Sequence, residues 1–182
     1  MAYLIRPLTH AFLDKIMPGS REAEVDHLWT NLLGFYFSEQ NDYGVLREAY
    51  IRARSQSRAN VCVCTLHRRT ITKVIVVENK RASEAQTGIP PLSSWTHAKQ
   101  QLQNYMLNIR PRQPQWESHT MFGILGVGKY VKFLQLRAGQ NELEYFQDDG
   151  MYHLEDEQDS FTIEQKLSRM RNYISARREY TA

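Results

Sequence analysis

The sequence predicts an α/β (α+β) fold in which a mixed central sheet is flanked by helices, in the order α-β-β-β-α-β-β-(β)-α. Three observations lead to this prediction: short apolar runs rich in β-branched residues, longer segments with apolar residues at helical spacing, and turn-forming residues between them. A chain of 182 residues suffices for one hydrophobic core. We expect a single domain over 1–182, with an N-terminal extension over 1–19 and an acidic segment plus C-terminal helix over 139–182.

Three segments have the apolar spacing of amphipathic helices. The first runs from Arg21 to Tyr36 with Ser20 as its N-cap, and the second from Ser94, its cap, to Ile109. The third begins at a capping box formed by Thr162 and Gln165. The positions expected to face the core are Val25, Leu28, Trp29, Leu32 and Tyr36, then Trp95, Ala98, Leu102, Tyr105, Met106 and Ile109, then Ile163, Leu167, Met170 and Ile174.

The predicted strands are Val45–Arg54, Val61–Leu66, Ile71–Glu78, Thr120–Leu125, Lys129–Leu136 and, more weakly marked, Glu142–Phe146. The first would be an edge segment, and the short connection between the second and third predicts a hairpin. Gly126–Gly128 would join the next pair. The segment Gly123–Gly128 superficially resembles a phosphate-binding loop, but no helix start follows it, which favours a hairpin turn.

The composition and the charged residues exclude several classes of protein. No apolar run approaches the roughly 20 residues that span a bilayer, and charged residues interrupt Met1–Pro18, unlike a signal peptide. Cys62 and Cys64 are the only cysteines, and we expect both to be buried, reduced thiols. These features predict an intracellular protein of the cytoplasm or the nucleus.

Charge is unevenly distributed along the chain. The segment from Val45 to Arg81 contains nine basic and two acidic residues, whereas the segment from Gly139 to Asp159 contains eight acids and no Lys or Arg. The basic segment is suited to a polyanion, and the acidic one to a basic partner or to masking the basic face. Two solvated faces without a binding role would give the same pattern.

Glu78 and Lys80 carry the most informative pattern. They end a buried apolar strand, and the two-residue periodicity of strands puts them on one face, with Asn79 pointing away. A carboxylate can bind a hard cation such as Mg²⁺, while an ammonium beside it stabilises phosphate charge or orients water. A surface salt bridge would look identical in sequence. On the following helix Gln101 and Tyr105 share one face beside the core stripe.

A hairpin strand ending in Glu78-Asn79-Lys80, then Trp95, then a helix with Gln101 and Tyr105, resembles the PD-(D/E)xK nuclease superfamily. The Gln-x-x-x-Tyr helix is similar to the RecB-like exonuclease branch, and the whole arrangement to small fungal members. The resemblance spans roughly Ser20 to Leu136. It implies a restriction-endonuclease-like core and hydrolysis of nucleic acid with Mg²⁺ or Mn²⁺, with DNA expected rather than RNA.

The resemblance also implies individual roles. Glu78 and the backbone carbonyl of Asn79 would bind metal, Lys80 would be the catalytic cation, and Gln101 would orient the site. Glu22 or Glu24, on the first helix, would supply a further acid, and the sequence does not choose between them. The residues expected to contact nucleic acid are Arg54, Arg58, Arg81 and Tyr105.

Asn60 departs from the family pattern. The resemblance places an aspartate where Asn60 stands near the start of the first hairpin strand, so Asn60 would be both a catalytic and a metal position with no charge. Either the protein lost this carboxylate naturally, or an inactivating Asp-to-Asn change was introduced. Assigning Asp42 or Glu48 to the role is an alternative, although both lie further from the hairpin.

Three functions follow from these observations. The first is a metal-dependent nuclease, either active or inactivated by Asn60 in place of the expected aspartate. The second is a nuclease-like module that binds nucleic acid without cutting it. The third is a protein-interaction domain, acting through the acidic segment 139–159 with a protein partner or as a homodimer.

Overall fold

The computed structural model describes residues 3–50, 58–67, 70–84, 88–110 and 119–179. The helices in these ranges are α1 Pro7–Asp14, α2 Glu22–Tyr36, α3 Leu92–Ile109 and α4 Glu157–Glu179, with a 3-10 helix over Glu39–Asn41. The strands are β1 Tyr43–Tyr50, β2 Arg58–His67, β3 Thr70–Lys80, β4 Met121–Val127, β5 Tyr130–Leu136, β6 Glu144–Tyr145 and β7 Tyr152–His153.

These strands form one mixed sheet in the order β1-β2-β3-β4-β5-β6, with β7 also pairing with β5. The pair β3–β4 is parallel and α3 connects its two strands, whereas the other pairs are antiparallel. The predicted hairpins β2–β3 and β4–β5 are therefore confirmed, and β1 is an edge strand as expected. None of the helices in the described ranges is both long and apolar enough to span a membrane.

A separate hydrophobic cluster covers each face of the sheet. Residues of α1, α2 and α4 pack on one face, and residues of α3 pack on the other. Every predicted core position is buried except Tyr105, which is half-buried. Cys62 and Cys64 are buried, free thiols, as the sequence predicted.

The alternation of β3 determines where its last residues point. Val76 belongs to the cluster on the α3 face, and Val77 to the cluster on the α2 face. Since side chains alternate along a strand, Glu78 faces α3 and Asn79 faces α2. The end of β3 thus presents different residues to the two helical layers.

The predicted helix caps were wrong. The Ser20 hydroxyl accepts from the Met17 N–H and donates to a carbonyl of the preceding turn, while α2 begins at Glu22 without a side-chain cap. Ser94 lies inside α3, which begins at Leu92 after a proline. Caps depend on the path of the preceding chain, which helical periodicity does not specify.

The start of the last helix and two short elements also differ from the prediction. Thr162 and Gln165 lie inside α4, whose first turn is capped by the Asp156 carboxylate, 2.9 Å from the Asp159 N–H. Helix α1, within the predicted N-terminal extension, and strand β7 were not predicted. Such short elements carry too little periodicity to be recognised, and packing on α2 and β5 stabilises them.

The acidic segment between 139 and 159 is partly neutralised within the chain. Glu144 pairs with Arg137, Asp148 with Lys166, and Glu155 with Lys129. Three of its carboxylates therefore form ion pairs with basic residues outside the segment. Its predicted role toward a protein partner or a second copy stays a prediction.

Candidate active site

The centre of the site is an ion pair at the end of β3. The Lys80 ammonium lies 2.6 Å from Glu78 Oε1, which confirms that the two side chains share a face of the strand. Glu78 is only 2% exposed, and its other oxygen, Oε2, is buried without a hydrogen-bond partner among the described residues. An unsatisfied carboxylate oxygen is costly to bury, so this atom is available for a ligand.

Burial changes the protonation of Glu78. Desolvation raises the pKa of its carboxyl to about 7, and the hydrogen bond and positive charge of Lys80 oppose this rise. The negative charges of Glu22 and Asp26 raise the pKa further. The group therefore titrates near neutral pH, where most glutamates are fully ionised.

Glu22 is the second carboxylate near Lys80. It lies in the first turn of α2, and its Oε2 is 3.8 Å from the Lys80 ammonium, so the ammonium contacts both Glu22 and Glu78. Glu24, the other candidate from the sequence, instead lies 3.8 Å from His27 Nδ1. The structure thus brings Glu22, and not Glu24, to the site.

Asn60 joins the helix and the strand. Its Nδ2 donates to Glu22 Oε1 at 2.7 Å, and its Oδ1 accepts from the backbone N–H of Asn79 at 2.9 Å. Asn60 thus lies beside Glu22 and the end of β3, and its predicted catalytic and metal-binding role stays a prediction. Asp42 lies elsewhere, because it precedes the pair Tyr43–Thr65 at the far end of the strand. In register Glu48 lies opposite Asn60, and its side chain is outside the described residues.

Asp26 is a site residue that the sequence analysis missed. Its carboxylate is 5% exposed and accepts from the Asn79 side-chain amide at 2.8 Å. Desolvation raises the pKa of Asp26, and the Asn79 hydrogen bond opposes the shift. The available signal was an acid next to Val25 in the core stripe, one helical turn after Glu22.

Gly126 leaves room for the Asn79 side chain that donates to Asp26. A Cβ atom there would lie 2.4 Å from Asn79 Oδ1 and 2.6 Å from Trp29 Nε1. Both atoms are buried and lack a hydrogen-bond partner in the part of the chain that the structure describes. The sequence indicated only a turn here, whereas the strand continues to Val127 and the glycine serves close packing.

Helix α3 carries Gln101 and Tyr105, the two residues that the resemblance assigns to the site. Gln101 is half-buried, and its Oε1 is buried without a partner in the described ranges. Burial raises the pKa of Tyr105, and the charges of Glu78 and Glu22 raise it further, so its hydroxyl lies within the field of the site. The structure therefore places Tyr105 near the carboxylates.

Comparison with solved structures bears on the arrangement of these elements. The chain is similar to the type IIG restriction endonuclease BpuSI, with a TM-score of 0.51 and 14% sequence identity, over 87% of this chain and 17% of that chain. The chain has a restriction-endonuclease-like fold. No family model and no curated protein matches the sequence. The similarity confirms the predicted fold class, while membership of the PD-(D/E)xK superfamily and likeness to its fungal branch stay predictions.

The predicted nucleic-acid contacts of this restriction-endonuclease-like domain are only partly visible. Arg81 follows the site and is exposed, but its guanidinium lies 3.2 Å from Glu84. Arg58 begins β2, and its side chain is outside the described residues, as is all of Arg54. The role of these arginines stays a prediction.

The donors at the site suit a hard divalent cation. Glu22 and Glu78 supply carboxylate oxygens of the kind that Mg²⁺ prefers, and Glu78 Oε2 has no hydrogen-bond partner among the described residues. The described residues nevertheless contain no cluster of three His, Cys, Asp or Glu side chains placed to hold a metal. The carboxylates of Glu22 and Glu78 fit such a cation, but the site has one negative charge fewer than the resemblance implies, because Asn60 stands where an aspartate is expected.

Proposed function

We propose that this chain is a metal-dependent nuclease that hydrolyses phosphodiester bonds in nucleic acid, and that Asn60 weakens this activity. One observation carries the proposal: within a restriction-endonuclease-like fold, the Lys80 ammonium lies between the carboxylates of Glu78 and Glu22 at a strand end. An ammonium among acidic oxygens, beside an unsatisfied buried one, suits phosphate chemistry better than structural stability.

Each residue has a task that follows from its environment. Glu78 and Glu22 would hold Mg²⁺ or Mn²⁺, and the cation when bound would make water a better nucleophile. Lys80 would stabilise the charge that develops on the phosphate, because its ammonium is close to these ligands. Gln101 would orient the nucleic acid or water through its unsatisfied oxygen. The carbonyl of Asn79 remains a proposed ligand.

The test is a cleavage assay on DNA and RNA with Mn²⁺, which compares the wild type with Asn60→Asp. We expect Asn60→Asp to cleave faster because it restores a third carboxylate. Lys80→Ala in the Asn60→Asp background should abolish this gain. Lys129→Ala is the matched control, since Lys129 forms an ion pair of the same length, 2.6 Å, with Glu155 and not with Glu78 or Glu22.

The outcomes separate chemistry from folding. Cleavage by Asn60→Asp that needs Mn²⁺ and Lys80, but not Lys129, supports the proposal. An Asn60→Asp variant that is folded but cleaves none of the substrates refutes the nuclease proposal. Equal loss in the Lys80 and Lys129 variants would show that the ion pair acts only through stability.

A second function, binding without cleavage, is favoured by the hydrogen bonds of Asn60. Its amide satisfies Glu22 Oε1 and the Asn79 N–H without any metal, so this part of the site is held by hydrogen bonds alone, although Glu78 Oε2 has no partner among the described residues. This reading predicts nucleic-acid binding in EDTA that weakens steeply with salt, because cations are released from the phosphates. Binding that requires a divalent metal, or that does not respond to salt, would contradict it.

A further inference from the structure

Two lysines on the α3 side of the sheet converge on one aromatic ring. The ammonium of Lys99 lies 4.9 Å from the centre of the Tyr145 ring, and that of Lys132 lies 5.4 Å from it. Lys132 is also 5.5 Å from the Trp95 ring. We propose that Lys99 and Lys132 form a second phosphate-binding patch, which binds the backbone of the nucleic acid beside the candidate active site. This inference rests on the proposed function.

The charge of these lysines is not neutralised by an ion pair. Lys80, Lys129 and Lys166 each bind a carboxylate, whereas Lys99 and Lys132 have no acidic partner within the described ranges. Lys132 donates only to the backbone carbonyl of Asp149, at 3.4 Å. A lysine that stays partly exposed without a counter-ion keeps its charge available for an anion.

Two acids close in sequence to Tyr145, Glu144 and Asp148, bind other groups. The Glu144 carboxylate binds Arg137 and the Gln135 amide, and the Asp148 carboxylate binds Lys166. Both therefore have their own cation. The positive patch thus lies against Tyr145, in the segment that the sequence marked as acidic.

The sheet register places the patch beside Glu78. Glu78 pairs with Leu125 on β4, and Leu125 pairs with Lys132 on β5, so the three residues form one row across the sheet. Residues in one row point to the same face. Two strand spacings separate Lys132 from Glu78 by about 10 Å, which corresponds to roughly three base steps of 3.4 Å along a duplex.

The aromatic rings determine what the patch can recognise. Trp95 is buried, and the partly exposed Tyr145 ring lies against both ammonium groups. The two rings hold the lysine side chains in place, which lowers the entropy lost on binding. We therefore expect contacts to phosphates and no preference for sequence.

Fluorescence anisotropy with a short labelled DNA duplex in EDTA tests the patch. The double variant Lys99→Gln with Lys132→Gln should bind about tenfold more weakly, and the slope of log affinity against log salt should fall by about 2, at about 0.9 per lost phosphate contact. Lys15→Gln is the matched control. It also has an ammonium near an aromatic ring, Phe12, but lies after α1 on the opposite face of the sheet.

Substitution of both lysines by arginine separates charge from packing. The double arginine variant should bind as the wild type does, because the charge is kept, whereas a loss of binding there would overturn the electrostatic account. If the double glutamine variant binds nucleic acid as tightly as the wild type, the patch is overturned but the proposed function is not. Failure of the wild type to bind any nucleic acid at low salt overturns both. Weakened binding by a protein that never cleaves supports the patch and removes only the nuclease proposal.

Discussion

Replacement of Asn60 by aspartate isolates one contact of the candidate site. The Asn60 amide donates to Glu22 Oε1 at 2.7 Å, so the substitution sets a second carboxylate oxygen against the first. The other contact survives, because an aspartate oxygen also accepts from the Asn79 N–H, now 2.9 Å from Asn60 Oδ1. The perturbation therefore falls on the contact with Glu22.

Two effects determine how much Asn60→Asp lowers the free energy of unfolding. Loss of a hydrogen bond to a charged group costs about 1.5–3 kcal/mol. Two carboxylates that relax to about 4 Å repel by about 4 kcal/mol near a protein surface, and the 40% exposure of the Glu22 side chain reduces this term. We expect the free energy of unfolding at pH 7 in EDTA to fall by about 3 kcal/mol, which lowers Tm by about 6–12 °C.

Metal and pH should both reverse this loss. A proton shared by the two carboxylates restores a donor, so the deficit of the Asn60→Asp variant shrinks as pH falls. A divalent cation at 100 times its Kd adds about 2.7 kcal/mol of stability. Mn²⁺ should therefore raise the Tm of this variant much more than that of the wild type.

Calorimetry in EDTA and in Mn²⁺ measures both effects. Asn31→Asp is the control, since the Asn31 amide donates to the backbone carbonyl of His27 on the same helix, without an acidic partner. Its Tm should not respond to Mn²⁺. If Asn60→Asp melts with the wild type in EDTA, or is indifferent to Mn²⁺, the reasoning about Glu22 is refuted.

Three further predictions concern stability. Because the pKa of Glu78 is raised to about 7, its contribution to the free energy of unfolding is fully present below its ordinary pKa and is lost as pH rises through about 7. Glu78→Gln should remove this decline, of the order of 3 kcal/mol, when stability is measured by urea titration at pH 4 to 8. Arg110 is buried and donates to three carbonyls at the end of β5 and just after it, so Arg110→Ala should lower the free energy of unfolding by about 3–5 kcal/mol, and retained stability would show that water replaces the guanidinium. Gly126→Ala should cost about 1–3 kcal/mol through its clash with Asn79, whereas Gly34→Ala, which meets nothing in a helix, should be neutral or stabilising; similar results for both glycines would contradict the packing argument.

The elements that periodicity defines were predicted well. The strand ending at Lys80 and the buried stripes of α2 and α3 each combine a repeated apolar pattern with a clear break. The same periodicity correctly placed Glu78 and Lys80 together, because side chains two apart on a strand share a face. Local sequence is sufficient wherever the pattern itself determines the geometry.

The residues that depend on distant partners were not predictable. Asp26 is buried because Asn79, far along the chain, offers an amide to its carboxylate. The choice of Glu22 over Glu24 depends on the end of β3, where Lys80 reaches only the former. No local pattern contains this information, since it arises when α2 packs on the sheet.

Position 60 is where the chemistry of the site is decided. Either Asn or Asp satisfies the Asn79 N–H, so the backbone does not distinguish them, and only the second side-chain atom does. With an amide this atom donates to Glu22 Oε1 and adds no charge, so this contact needs no metal. With a carboxylate the same atom makes Glu22 and its neighbour depend on a cation. We therefore expect stability in EDTA to separate the two proposed functions, because a carboxylate at position 60 adds a charge that a cation or a proton must offset, whereas the amide adds none.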